Sequence, residues 1–230
     1  MSWPALPGRR EHARRAAVLA ACFVALYAAA VATPWGQKTD ADLFGLLTSA
    51  ALISPPVADL LRGGLVVAAA LVAVAVGVIA VARHRWPQVL SLATVTLLST
   101  TLSVVLRDVA LVRPFYDASY AYAHNTYPST HVTVTAALAT AIVVLWPYRS
   151  AHGRVVVREV VLSTVVVACL VNVISFAHRP ADVLGSLLLV GVVTSVAGIV
   201  RPALVVPLGG GPEPTVARPA DQVVPRYRAS

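Results

Sequence analysis

Two stretches of the chain, each lying between long apolar segments, hold residues whose types and spacing suit phosphate chemistry. The first, residues 107–131, begins with Arg107 and Arg113, and a guanidinium group matches two phosphate oxygens at once. It ends in Pro-Ser-Thr-His before an apolar run, where Ser129 is a favourable N-cap for a helix. The free N–H groups in the first turn of such a helix form an anion site, and His131 would lie beside the bound anion.

The second stretch, residues 175–182, contains His178 and Asp182 four positions apart. If a helix begins near His178, this spacing places both side chains on one face. A carboxylate that binds one imidazole nitrogen fixes the tautomer and leaves the other nitrogen free as a nucleophile. Such a spacing is common by chance, and two arginines could simply bind lipid headgroups, so the prediction of a phosphate site depends on the combination. Isolated histidines are interpreted as solvated groups, namely His12, His84 and His152.

Both stretches must be positioned by membrane helices, because the composition is that of a membrane protein. The chain has 230 residues, of which 58% are hydrophobic and 12% charged, about half the charged fraction of a soluble domain. Six apolar runs each approach the ~20 residues that a spanning helix needs. They are residues 16–32, 64–82, 87–106, 131–146, 160–176 and 183–200. The pattern predicts an all-α, polytopic membrane bundle of about six transmembrane helices.

The arginines predict the orientation of this bundle. They are concentrated in the N-terminal tail, in the connections at 83–85 and 149–158, and in the last segment, all on one side if the chain crosses six times. The positive-inside rule then places both termini in the cytoplasm of a multi-pass cell-membrane protein. The net charge of +8 lies between apolar runs, so it does not indicate nucleic acid. The preference for arginine, alanine and valine suggests a bacterial genome.

This layout divides the chain into three parts. Residues 1–15 are predicted to be a cytoplasmic tail and residues 16–200 the membrane domain. Residues 201–230, which contain three consecutive glycines and several prolines, are predicted to be a disordered cytoplasmic tail. The basic N-terminus could also belong to a signal peptide, but the first apolar run is long for one and lacks a small-residue cleavage site, which favours an uncleaved span.

Two further features leave less specific predictions. The outer segment 34–63 contains an apolar stripe at 43–47, which predicts either a helix lying in the membrane interface or an ordinary capping loop. Cys22 and Cys169 lie inside apolar runs and are interpreted as packing residues. Two cysteines this far apart indicate neither a disulfide framework nor a zinc site, so no metal is predicted.

Taken together, the polar residues resemble the motifs of the type 2 phosphatidic acid phosphatase family, which shares its site with vanadium-dependent haloperoxidases. The family motifs are, in order, Lys-x6-Arg-Pro, Pro-Ser-Gly-His and Ser-Arg-x5-His-x3-Asp. The matching positions are Arg107 and Arg113 with Pro114, residues 128–131, and His178 with Asp182. Their order and their placement between the apolar runs also match, so the resemblance covers most of the chain. Gly36, Gln37 and Asp40, after the first run, resemble bacterial members.

The resemblance implies a metal-independent phosphatase that works through histidine and needs no cofactor. His178 would attack phosphorus and form a phosphohistidine, and Asp182 would orient and stabilise it. His131 would protonate the leaving oxygen and then help to activate water. The groups implied to bind the phosphoryl oxygens are Arg107, Arg113, Ser129 and Thr130.

All three motifs depart from the family pattern. Arg107 stands in for the motif lysine, one residue closer to Arg113 than expected. Thr130 replaces the motif glycine, which is tolerable only at a negative φ. Asn172 replaces the motif arginine, and losing a charged phosphate contact can cost on the order of 1.5–3 kcal/mol. Arg179, beside the nucleophile, could compensate, so Asn172 and Arg179 are both candidate substrate-binding residues.

Three functions are compatible with these features. The leading hypothesis is a phosphatase that acts at the extracytoplasmic face on a membrane lipid phosphate or diphosphate, such as polyprenyl diphosphate, phosphatidic acid or phosphatidylglycerol phosphate. The second is a degenerate relative that binds lipid phosphates without hydrolysing them. The third is a transporter or structural membrane protein, which the absence of an internal repeat disfavours. The expected partners are the lipid substrate and the bilayer, and the sequence defines neither the lipid nor an oligomeric state.

Overall fold

The computed structural model describes residues 8–114 and 125–200, and within these ranges the only regular structure is helical. Seven α-helices follow one another, and two of them, α1 and α4, end in a π-helical turn. Their bounds are α1 Arg9–Leu26 with the turn Tyr27–Val31, α2 Pro34–Ser49, α3 Pro55–Ala82, α4 Trp86–Val105 with the turn Leu106–Ala110, α5 Thr130–Leu145, α6 Ala151–Ile174 and α7 Pro180–Val200. The predicted tail at 201–230 lies outside the described residues.

Five of these helices, α1, α3, α4, α6 and α7, are long and apolar enough to cross a membrane, and α5 is a shorter apolar helix. The predicted class, an all-α polytopic membrane bundle of about six helices, is therefore confirmed. Helix α5 has 16 residues and a length of about 24 Å, less than the ~30 Å hydrocarbon core. It lies in the middle of the bundle against α3, α4, α6 and α7 and buries most of its side chains. Protein therefore covers most of its surface.

The N-terminal part of the chain differs from the prediction in two respects. Helix α1 begins at Arg9, before the predicted boundary between residues 15 and 16, and Glu11 pairs with Arg15 along its first turns. His12 is buried rather than solvated, because α1 packs against α7 and its ring fills the space beside Gly198. A Cβ at Gly198 would lie 2.5 Å from Nδ1 of His12, so the small residue makes this approach possible.

The outer segment forms a helix, α2, rather than a simple capping loop. Thr33 caps it by accepting a hydrogen bond from the N–H of Gly36 at 3.0 Å, and Pro34 occupies the first position, where no N–H is needed. Gly36 lies so close to the carbonyl of Ala29 that no Cβ would fit. Phe44 is buried while Leu46 is 64% exposed, so one face of the helix packs on the bundle and another does not.

The two cysteines have different environments. Cys169 packs beside the apolar cluster of Phe44, Val132 and Val183, as the packing interpretation requires. Cys22 is exposed on the outside of α1, so that interpretation is wrong for it. An apolar outward-facing side chain is normal in a helix that faces lipid rather than water.

Candidate active site

Hydrogen bonds join the first turns of α5 and α7. The N–H of Ser129 donates to the carbonyl of Asp182 at 3.2 Å. The hydroxyl of Ser186 donates to the carbonyls of Ser129 and Asp182 at 2.8 and 2.9 Å. These bonds bring together the two predicted stretches, which lie more than 50 positions apart in the chain. Both helices begin here, so their free N–H groups and positive dipole ends share one location.

Helix α5 begins as the sequence predicts. Ser129 is fully buried and its hydroxyl accepts a hydrogen bond from the N–H of Val132 at 3.5 Å. Thr130 is the first helical residue, and the only non-glycine residues with positive φ in the described ranges are His84 and Phe176. The condition for a threonine at the motif-glycine position, a negative φ, is therefore met.

The loop before α5 is held by its own side chains. Asn125 donates through its amide to the carbonyls of Arg107, Leu111 and Tyr127 at 3.0–3.2 Å. Tyr127 is buried, and its hydroxyl donates to the carbonyl of Phe23 at 3.1 Å. Its ring covers the α-carbon of a glycine in α7, at position 185, where a Cβ would lie 2.3 Å away. These bonds hold the described residues just before α5 in place, and residues 115–124 lie outside the described part.

Asp182 is at the centre of the site. Its carboxylate is fully buried, and one oxygen binds the Nη2 of Arg113 at 2.5 Å. The other oxygen accepts from the hydroxyl of Thr126 at 2.6 Å and from the N–H of Arg179 at 3.0 Å. The same oxygen lies 3.6 Å from Nδ1 of His178. Asp182 therefore links the predicted nucleophile, the predicted arginine and the start of α7.

The position of Asp182 also explains its local role. Because α7 begins at Pro180, Arg179 is its N-cap and Asp182 is the third helical residue. A carboxylate at this position that accepts the N-cap N–H forms half of a capping box. The 3.6 Å separation from His178 is long for a hydrogen bond, and such contacts often shorten only when a ligand binds.

A second buried carboxylate approaches from α2. Asp40 is 5% exposed, and its Oδ1 accepts the N–H of Ala181, the second residue of α7, at 2.9 Å. Its Oδ2 lies 3.9 Å from Nη1 of Arg113. Burial raises the pKa of Asp40 to about 6, against the opposing effects of the Ala181 N–H, Arg113 and Arg179. Nearby Gln37 donates to the carbonyls of Val31 and Pro114, which fixes α2 over the site.

Arg107 contacts the start of α5 rather than the start of α7. Its Nη1 donates to the hydroxyl of Thr130 at 3.0 Å, and its Nε pairs with Asp108 at 2.6 Å. The hydroxyl of Ser103, one turn earlier on α4, lies 3.3 Å from the same Thr130 oxygen. The predicted replacement for the motif lysine thus reaches the first residue of α5, whereas Arg113 reaches the first turn of α7.

The sequence interpretation missed Arg62, which comes from the first turns of α3. Its Nη1 lies 3.5 Å from Nδ1 of His131, and its Nη2 pairs with Asp59 at 2.6 Å. A guanidinium only donates hydrogen bonds, so this contact requires a lone pair on Nδ1 of His131. The neutral ring would then carry its proton on Nε2. No local signal marks Arg62, because its partner lies 69 positions away in the chain.

The two candidate binding residues of the third motif are placed differently. Asn172 is 1% exposed, and its amide donates to the carbonyl of Ala168 on its own helix at 2.7 Å. Its Oδ1 is buried without a hydrogen-bond partner in the described residues, and its backbone carbonyl accepts the N–H of His178 at 3.1 Å. Arg179 is buried, and its charge acts on Asp40.

The arrangement brings two histidines, two buried carboxylates and several cations to the starts of α5 and α7. No group of three His, Cys, Asp or Glu residues close enough to hold a metal ion occurs in residues 8–114 and 125–200. His131 lies near enough to His178, Arg62 and Arg107 for their charges to act on it. Cationic and N–H donors around a histidine pair are suited to bind a tetrahedral anion and to transfer its central group.

Comparison with known proteins adds no relative: no family model matches the chain, no curated protein matches it, and no solved structure matches it.

Proposed function

We propose that this protein is a membrane phosphatase that hydrolyses a lipid phosphate monoester or diphosphate at this site. The observation that carries the proposal is the contact of Asp182 with both His178 and Arg113. A backbone hydrogen bond joins Asp182 to the capped start of α5, beside His131. A histidine oriented by a buried carboxylate is an activated nucleophile, and the first turn of a helix binds phosphate oxygens. A lipid substrate is favoured because the site is built at the ends of helices that are long and apolar enough to cross a membrane.

The first chemical step transfers the phosphoryl group to the protein. Nδ1 of His178 faces Asp182, so Nε2 provides the lone pair that attacks phosphorus. The bond between phosphorus and the leaving oxygen breaks as the P–N bond forms, and His131, which enters this step doubly protonated, gives its Nε2 proton to the leaving oxygen and becomes neutral. The products are the lipid alcohol, or the lipid monophosphate if the substrate is a diphosphate, and a phosphohistidine.

The second step returns the protein to its starting state. A water molecule attacks phosphorus, and His131, now neutral with a lone pair on Nε2, accepts a proton from that water. The P–N bond breaks, its electron pair returns to Nε2 of His178, and inorganic phosphate leaves. Throughout both steps the charge on the phosphoryl oxygens is stabilised by the first-turn N–H groups of α5, by Arg107 and by Arg113.

Arg62 provides a cation that the resemblance does not include. A cation this close to the ring favours the neutral form of His131, the form that accepts the proton of the attacking water in the second step. It also brings a third guanidinium to the phosphate, which offsets part of the charge missing at Asn172. Asp59 holds Arg62 in place by an ion pair along α3.

The proposal is tested by phosphate release from purified protein in detergent. The substrates are phosphatidic acid, phosphatidylglycerol phosphate and a polyprenyl diphosphate, and the variants are His178→Ala and, as a control, His84→Ala. His84 lies at the far end of α3, so its removal should leave turnover unchanged. His178→Ala should abolish turnover and the acid-labile phosphorylated species. Wild-type turnover in His178→Ala, or no release from any substrate by the wild type, would contradict the proposal.

A second candidate function is lipid phosphate binding without hydrolysis, and the state of Asn172 favours it. The amide bonds back to α6 and leaves a buried oxygen where a charged donor would be expected. Under this alternative the wild type binds phosphatidic acid tightly, shows no turnover, and gains none on Asn172→Arg. If the phosphatase proposal is correct, Asn172→Arg should at most raise a turnover that is already measurable.

A further inference from the structure

A groove of about 700 Å³ lies at the end of the bundle opposite the candidate active site. Its walls come from α1 and α6 and its floor from the C-terminal halves of α5 and α7. The groove exists because α1 packs chiefly on α7, whereas α6 packs on α5 and α3, which leaves α1 and α6 apart. None of the residues of the candidate active site lines it.

The inner part of the groove is apolar and has a floor of small residues. Ala136, Ala139 and Gly191 lie on the floor, and the α6 side is formed by larger aliphatic side chains up to Val165. From Arg154 to Val165 the helix rises eleven residues, or about 17 Å. Half of a ~30 Å hydrocarbon core is about 15 Å. The groove is therefore about as long as the acyl region of one leaflet.

The end of the groove that lies farthest from the candidate active site is basic. Arg15, Arg154 and Arg158 line it, and the described lining contains no acidic residue. The guanidinium carbon of Arg154 lies 5.6 Å from the ring centroid of Tyr148, which holds this cation at the mouth. Glu11 holds Arg15 at 2.9 Å, so two of the three arginines have fixed positions before any ligand binds.

A polar atom in the groove also lacks a partner. The hydroxyl of Thr194, on the α7 side of the lining, is buried and makes no hydrogen bond to the described residues. A buried hydroxyl without a partner costs free energy unless a ligand or water supplies one. It lies within the lining that the three arginines share, so a polar headgroup region that enters the groove could satisfy it.

We propose that this groove is a binding site for one anionic phospholipid, separate from the candidate active site. The phosphate would bind Arg154 and Arg158, whose guanidinium groups match phosphate oxygens, with Arg15 adding charge at the mouth. One acyl chain would lie along the small-residue floor. Basic pockets between transmembrane helices are known to select anionic headgroups. The site does not depend on the proposed phosphatase activity, because it shares no residue with it.

The test is native mass spectrometry of the full chain from mixed detergent and phospholipid. The probes are phosphatidylglycerol, phosphatidylcholine with the same acyl chains, and inorganic phosphate. The key variant is Arg154→Ala/Arg158→Ala, and its matched control is Arg9→Ala/Arg10→Ala, which removes the same charge from the same end of the bundle but outside the groove. A third variant, Thr140→Phe, fills the floor and leaves all three arginines.

The wild type and Arg9→Ala/Arg10→Ala should retain one phosphatidylglycerol in preference to phosphatidylcholine. Arg154→Ala/Arg158→Ala should bind it about tenfold or more weakly, since each lost charged contact is substantial. Thr140→Phe should weaken binding although the charges remain. If Arg154→Ala/Arg158→Ala does not fold, Thr140→Phe and the single variant Arg158→Ala test the proposal instead. Thermal unfolding in lipid-free detergent identifies folded variants.

Three results would overturn the proposal. Equal retention in both double variants would mean that phosphatidylglycerol is held by bulk charge alone. Full competition by inorganic phosphate would indicate a simple anion site that takes no acyl chain. A stable dimer that Thr140→Phe dissociates would show that a second copy of the chain occupies the groove.

Discussion

The first turns of α5 and α7 meet in one site but differ in what surrounds them. At α7, carboxylates already occupy the helix start: Asp182 accepts the N–H of Arg179, and Asp40 accepts the N–H of Ala181. At α5, a hydroxyl caps the helix, and the side chains that reach its first residues are the cations Arg107 and Arg62. The carboxylates at α7 bind the N–H groups of the helix start itself, whereas those near α5, Asp108 and Asp59, pair with Arg107 and Arg62.

This difference assigns separate tasks to the two helices in the proposed mechanism. The helix dipole and two guanidiniums can act together on an incoming phosphate at α5, because the cap of this helix is a hydroxyl rather than a carboxylate. Helix α7 instead fixes the orientation of His178 through Asp182. A substrate placed at α5 then receives a nucleophile from α7 and an acid, His131, from its own helix.

The largest effect is expected from removing the charge at the start of α7. Asp182→Asn should lower turnover by about 10²–10⁴-fold, because the amide no longer favours the reactive tautomer of His178. The same change leaves Arg113 buried without its closest counter-charge, which costs about 3–5 kcal/mol of stability. Phosphate release and thermal unfolding in detergent measure the two effects separately.

Ser186→Ala is the control for that experiment, since it removes a hydroxyl that only links the two helix starts. It should reduce stability and change turnover far less than Asp182→Asn does. Unchanged turnover in a folded Asp182→Asn protein would break the assignment of α7 as the helix that orients the nucleophile.

The next largest effect should come from the cation beside His131 on α5. Arg62→Ala should reduce turnover of an alkyl phosphate by roughly tenfold to a hundredfold, because the neutral form of His131, which accepts the proton of the attacking water, is no longer favoured. With 4-nitrophenyl phosphate the loss should be similar, because both substrates share the step in which water attacks the phosphohistidine. The control Arg83→Ala removes a cation from the opposite end of the same helix.

His131→Ala provides the second half of this experiment. In the background of His131→Ala, removing Arg62 should have much less effect on alkyl phosphate turnover, because both act on one proton transfer. Additive losses, or a loss confined to the alkyl phosphate, would mean that Arg62 does not act on the proton transfer from water to His131.

The sequence predicted local features of this site better than its long-range contacts. The capped start of α5 and the pairing of His178 with Asp182 follow from residues a few positions apart, where helix geometry dictates which groups meet. The contact of Arg62 with His131 joins residues 69 positions apart, and that of Asp40 with Ala181 joins residues 141 apart. Such contacts depend on how helices pack, which no local spacing specifies.

The same reason explains the errors in the prediction of the fold. Hydropathy located the spans, because apolar length is read directly from the sequence. It did not show that α2 would form a helix over the site, because the apolar stripe at 43–47 is compatible with an interfacial helix and with a capping loop. It also did not show that His12 would be buried, because the space beside Gly198 exists only after α1 packs on α7.

A smaller effect, visible only as a function of pH, is expected from the second carboxylate at α7. The pKa of Asp40 is raised to about 6 by burial, above the ~3.9 of an unfolded aspartate. Between these values the folded chain holds a proton that the unfolded chain has lost, so stability is lost as the pH rises through this window. The whole effect is about 3 kcal/mol, and roughly half of it lies between pH 5 and pH 7.

Asp40→Asn should remove this dependence, so its thermal midpoint relative to the wild type should rise from pH 5 to pH 7. The control is Asp42→Asn on the same helix, because Asp42 is exposed and pairs with Lys38. A difference between wild type and Asp40→Asn that stays constant with pH would show that Asp40 does not titrate in this window.

The smallest effect should come from the serines that cap α5 and α6. Comparing them separates an effect on anion binding from an effect on stability. Ser129 caps α5 at the site, and Ser150 caps α6 at the other end of the bundle by accepting the N–H of Gly153 at 3.0 Å. Replacing either serine by alanine should cost about 0.5–2 kcal/mol of stability. Only Ser129→Ala should also weaken inhibition of phosphate release by vanadate or inorganic phosphate, since only this cap orders the N–H groups proposed to bind the anion. Equal inhibition in both variants would mean that the anion binds elsewhere than at the start of α5.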